Sequence, residues 1–94
     1  MADQLSVLVF QGTSGEFVAV CLDYGFAEQA KTLNDAILAF EDGYRARIRI
    51  ARERGEKPFE RSQRAPAEYW RQFEEGKPLK AVGETGAQVR AAAE

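Results

Sequence analysis

The sequence predicts an α+β domain: a three-stranded antiparallel sheet packed on one long helix, with a short second helix nearer the C-terminus. Three observations carry this. Two β-branched, aromatic-containing segments flank the turn Gly12-Thr13-Ser14-Gly15, a long 3.6-residue apolar period follows Thr32, and Pro66 opens a short aromatic segment closed by Gly76 and Pro78. At 94 residues the chain is one small domain. A domain of this size buries only about 60–65% of its extended-chain surface, so it gains from self-association.

The first strand is expected over Leu5–Gln11 and the second over Glu16–Leu22, joined as an antiparallel hairpin. Leu5, Val7 and Val9 share one face while Leu8 and Phe10 occupy the other, so both faces are partly apolar. A helix on one face and a second protomer or a partner on the other would bury both. After the turn Asp23-Tyr24-Gly25, Phe26–Ala30 forms a short third strand. Thr32 then caps the long helix, with Asp35 three residues on. At about 100° per residue, Leu33, Ala36, Ile37, Phe40, Tyr44, Ile48 and Ala51 fall in one stripe. That stripe is the predicted core face. The helix ends at Glu53 or Arg54, before Gly55, and Gly43 within it predicts close packing against the sheet.

Residues 1–55 thus form the sheet-and-helix core. Residues 56–76 are a polar connector with one buriable aromatic, Phe59, followed by a helix over Ala67–Glu75 with Pro66 at its first position. Residues 77–94 are Gly/Ala-rich and without period, which predicts a flexible tail.

Composition narrows the chemistry. The chain has no histidine and one cysteine, Cys21, so it holds no imidazole base, no Ser-His-Asp or Cys-His relay and no internal disulfide. No catalytic residue, metal site or cofactor is expected. No apolar run approaches the roughly 18 residues of a membrane span, and the start lacks a basic leader, so the cytoplasm is the expected location. The net charge of −2 conceals a split, with seven acids and one base in residues 1–44 and twelve bases and eight acids in residues 45–94. An acidic half joined to a basic half suits assembly between copies better than it suits a nucleic-acid binder.

Among individual residues, Cys21 sits mid-strand as a small hydrophobe. Glu41 and Asp42 point about 100° apart on the helix, on a solvated face where Glu41 supports Arg45. Asp23, at the end of the second strand, is the candidate functional acid. Arg45, Arg49 and Arg52 lie within about 60° of one another on one helix flank, where guanidiniums grip a partner's carboxylates or phosphates. Leu38 lies on the same flank, outside the core stripe, which favours a protein interface over a nucleic-acid groove. Tyr69, Trp70 and Phe73 supply the apolar side of the second helix, for core or dimer packing. The candidate partner and oligomer interface is therefore Leu8, Phe10, Leu38, Arg45, Arg49, Arg52 and Trp70.

The segments Gly15-Glu16-Phe17-Val18-Ala19-Val20-Cys21-Leu22-Asp23 and Gln29-Ala30-Lys31-Thr32-Leu33-Asn34-Asp35-Ala36-Ile37 resemble the HicB family of antitoxins. The matching pattern is a hairpin glycine, a second strand ending on an acid, and a third strand running into a threonine-capped helix. It covers residues 5–54 and departs from the family at Ala30-Lys31, where members often carry glycine. The resemblance implies a ββ(β)α core, partly like the dsRBD and RNase-H folds, that oligomerises and masks a small ribonuclease toxin without catalysis of its own. The family's C-terminal DNA-binding domain has no counterpart in residues 55–94. A stand-alone HicB-like domain, antitoxin or orphan regulator, is the expectation. RNA binding through the arginine flank is the alternative, and a metal-dependent nuclease using Asp23 is a third reading.

Overall fold

The computed structural model describes residues 4–80 and 85–92. Its elements run β1 (Ser6–Gln11), β2 (Phe17–Cys21), β3 (Phe26–Ala30), α1 (Leu33–Glu53), α2 (Ala67–Glu75), β4 (Lys77–Leu79) and β5 (Gln88–Ala91). The architecture is α+β. The sheet, however, has five strands rather than three, in the order β3-β2-β1-β5-β4, and it is mixed rather than purely antiparallel.

The predicted half is present: β1 pairs antiparallel with β2 (Leu8 opposite Val20), and β2 with β3 (Ala19 opposite Glu28). The correction lies in residues 77–94, where the expected tail supplies two strands. β5 runs parallel to β1, with Val7 opposite Val89, and β4 closes the sheet antiparallel to β5. Residues 81–84 and 93–94 of that expected tail lie outside the described residues. A parallel neighbour for β1 needs a long crossover, and α1, the connector and α2 provide it.

The two faces of the sheet are covered by different helices of the same chain. On one, Val7, Val9, Ala19, Cys21 and Val89 meet Ala36, Ile37 and Phe40 of α1. On the other, Leu8, Val20 and Leu22 meet Ala65 and Phe73, with Tyr69 and Trp70 packed around them. The second apolar face, predicted to await a protomer or partner, is thus covered at β1 by α2. Leu8 is fully buried there, so it is not an interface residue. Each such side chain contributes roughly 1.5–3 kcal/mol through the water it sheds.

Local signals act as predicted in α1. The Thr32 hydroxyl accepts from the Asp35 N–H at 3.1 Å, and the helix ends before Gly55, whose φ of 70° closes it. Pro66 sits one position earlier than expected, as the N-cap of α2. Gly43 is corrected in its reason: a Cβ there would meet the Glu28 carboxylate and the Arg47 guanidinium, not the sheet backbone. The connector wraps the β2–β3 turn. Phe59, at a φ of 62°, lays its ring on Tyr24 at 4.0 Å, and the Ala65 N–H then donates to the Leu22 carbonyl on the opposite face. A left-handed phenylalanine is a costly conformation, and the stack with Tyr24, Phe26 and Tyr44 holds it.

Candidate functional site

The candidate residues separate into two groups on opposite sides of the sheet. Leu8, Phe10 and Trp70 belong to the α2 side, whereas Leu38, Arg45, Arg49 and Arg52 lie on α1. The structure does not bring them together into one interface. Trp70 packs against the α2-side core with Phe73 edge-on at 6.3 Å and the Arg64 guanidinium over its ring at 4.3 Å, so it is spent on folding. Phe10 is half-buried and lines an open apolar groove with Val18, Ala27 and Tyr69.

The residues that could carry chemistry are occupied by the fold. Asp23, the candidate acid, accepts from the Ser6 N–H at 2.7 Å and so ties the end of β2 to the start of β1. Cys21 is fully buried, and that burial pushes its thiol up to about 11, so it is neither a thiolate nor a nucleophile at neutral pH. Burial also raises the Tyr44 phenol, with Tyr24, Cys21 and Asp23 adding to the effect. Among the described residues, no group of three or more acidic or thiol side chains is arranged to hold a metal ion. Within the same residues, no helix is long and apolar enough to cross a membrane.

Glu41 is the residue that sequence reasoning placed wrongly. Instead of standing on a solvated face it is buried, with 3% of its surface exposed, and accepts from Arg45 Nη2 at 3.0 Å and from the Thr85 N–H at 3.0 Å. The Thr85 hydroxyl donates to the same carboxylate. The carboxylate therefore anchors the chain just before β5. One signal was available: on the helical wheel Glu41 stands beside Ile37 and Ile48, at the margin of the apolar stripe. Its partner at position 85 carries no such signal.

Arg45 is consequently a structural residue, paired to Glu41 and, at 3.8 Å, to Asp42. Arg49 and Arg52 differ. Among the described residues neither has an ion pair, and with Ile48 and Arg45 they border a shallow groove of about 320 Å³. Leu38, about three turns before Arg49 on this flank, is 45% exposed. The flank therefore presents apolar surface at Leu38 and Ile48 and, among the described residues, two guanidiniums without an ion pair, with Glu53 bordering the same groove.

The opposite flank of α1 stands over β3. Arg47 donates to Glu28 of β3 at 3.2 Å and lies over the Phe26 ring at 4.0 Å. These contacts orient α1: Glu28 marks its β3 side, and Thr85 marks its β5 side. The acidic half predicted from composition is thus partly neutralised within the chain, through Glu28 with Arg47 and through Glu41 and Asp42 with Arg45.

The chain matches no family model, no curated protein and no solved structure.

Proposed function

We propose that the chain is a non-enzymatic, self-associating interaction module of the HicB type, which binds a protein partner on the Leu38–Arg49–Arg52 flank of α1. The exposure of Leu38 on the same helix flank as two arginines that form no ion pair among the described residues, about three to four turns further along, carries this reading. Interfaces enrich for arginine around an apolar anchor, and such a flank selects a partner whose carboxylates take the guanidiniums two-pronged. A non-enzymatic role is supported by the way Asp23, Cys21 and Glu41 are committed to backbone or core. In a HicB setting the partner is a small ribonuclease toxin, and in an orphan regulator it is another protein. The proposed compartment is the cytoplasm, where a free thiol such as Cys21 stays reduced.

RNA is the competing partner, because Arg49 and Arg52 would serve phosphates equally well. A photo-crosslinking amino acid substituted at Leu38 separates the two in living cells. The expected adduct is a protein of discrete mass, resistant to ribonuclease and lost when Arg49→Glu and Arg52→Glu are added. An adduct that ribonuclease removes would overturn the protein-partner reading in favour of RNA.

A further inference from the structure

We infer that the outer edge of β3, together with the α1 flank above it, is where a second copy of this chain pairs. The inference names the surface for the self-association proposed above and does not involve the Leu38 flank.

The two edges of the sheet are treated differently. The β4 edge carries Lys77 and Pro78 within the strand, and proline and lysine are the usual means of keeping an edge from pairing. β3, with the sequence Phe-Ala-Glu-Gln-Ala, has no proline, and among the described residues its outward backbone groups have no partner. An edge of this kind is a template for another strand. Antiparallel pairing of two β3 strands about a two-fold axis needs no crossover and gives an isologous contact, the commonest in homo-oligomers.

The helix above this edge is shaped for the same neighbour. The Glu28 side chain of β3 reaches up beside Gly43 to meet Arg47, and this fixes which flank overhangs the edge. Along that flank run Ala39, Gly43, Ala46 and then Ile50, which is 41% exposed. Two such flanks brought side by side can approach closely over the small side chains and cover Ile50 where it borders the connector at Phe59 and Arg61. Charge also favours a second copy. The edge carries one carboxylate and one guanidinium, Glu28 paired with Arg47 at 3.2 Å, so two copies meet there without an unpaired charge.

Size-exclusion chromatography with light scattering tests this on the full chain at high micromolar concentration. The expected mass is twice the 10.5 kDa of the chain, falling to a single chain for Ala46→Lys/Ile50→Lys. Ile50 is exposed and Ala46 half-buried on the outer flank of α1, and unchanged circular dichroism would show that the fold survives. Amide exchange gives the second readout: Ala27–Ala30 should exchange more slowly in wild type than in that variant. A wild-type monomer, or a dimer that survives Ala46→Lys/Ile50→Lys but dissociates with Leu38→Lys, would overturn the proposal. Loss of the Leu38 crosslink with the dimer intact would instead strike only the partner reading.

Discussion

Strands β1, β2 and β3 follow one another through short turns, and α1 runs straight back across them, so each contact forms between neighbours in sequence. β5 reaches β1 from the other end of the chain, pairing Gln88 with Ser6, and β4 lies outside it. The first region is closed by a hairpin, a cap and a helical period. The second is held by anchors: Glu41 takes Thr85, while Arg90 donates to the carbonyls of Phe73 and Glu74 at 3.2 and 3.3 Å. Local contacts cost little loop entropy, so the first region is expected to form first and to template the distal strands.

The sharpest way to break this comparison is to remove the buried aromatic from each face of the sheet, since only the α1 face joins the hairpin strands to β5. Phe40 is fully buried, lies 5.9 Å from Phe26 and shares a cluster with Val89 of β5, so both regions rest on it. Phe40→Ala should cost about 4 kcal/mol in urea unfolding. Phe73, 6% exposed at the margin of the smaller α2-side cluster, should cost about 3 kcal/mol as Phe73→Ala. A Phe73→Ala loss equal to or above that of Phe40→Ala would mean that the face joining β5 to the hairpin does not carry most of the fold.

A second test uses pH and probes the first region alone. Burial raises the Cys21 thiol from 9.0 to about 11, so the folded chain holds this proton more tightly than the unfolded chain does. Stability from this group is complete below pH 9 and is lost as pH rises towards 11, by at most about 3 kcal/mol. Tyr44, raised in the same direction, adds to the loss. Urea midpoints compared at neutral pH and near pH 10.5 should show this fall, and Cys21→Ala should flatten it. An equally steep fall in Cys21→Ala would show that the thiol is not the cause.

What was legible in the sequence follows the same division. Thr32, the apolar stripe and Gly55 delimit α1, and Gly12-Thr13-Ser14-Gly15 marks the β1–β2 hairpin, because each acts within a few residues of itself. β4 and β5 were illegible for a physical reason. Lys77-Pro78-Leu79 and Gln88-Val89-Arg90-Ala91 are too short to show a period, and they become strands because β1 offers an edge. In the candidate site, Leu38, Arg49 and Arg52 stand exposed where the helical wheel put them. Leu8 was misassigned because a two-faced apolar strand reveals that a face is covered, not which element covers it, and Trp70 packs on the core, one of the two roles its helix offered.

The smallest expected effect addresses the anchor between the regions. Glu41→Ala removes the acceptor for the Thr85 N–H and hydroxyl, while Arg45, whose side chain is half exposed, regains water. The cost should be about 2 kcal/mol, since a backbone donor loses its charged partner at a partly buried site. Where that cost appears matters more than its size. If β5 is templated on a preformed unit, amides of Gln88–Ala91 should exchange faster in Glu41→Ala, while those of the β1–β2 hairpin keep their protection. Equal acceleration throughout the sheet would mean that β5 and the hairpin open as one cooperative unit, and the division between a local core and an added edge would fail.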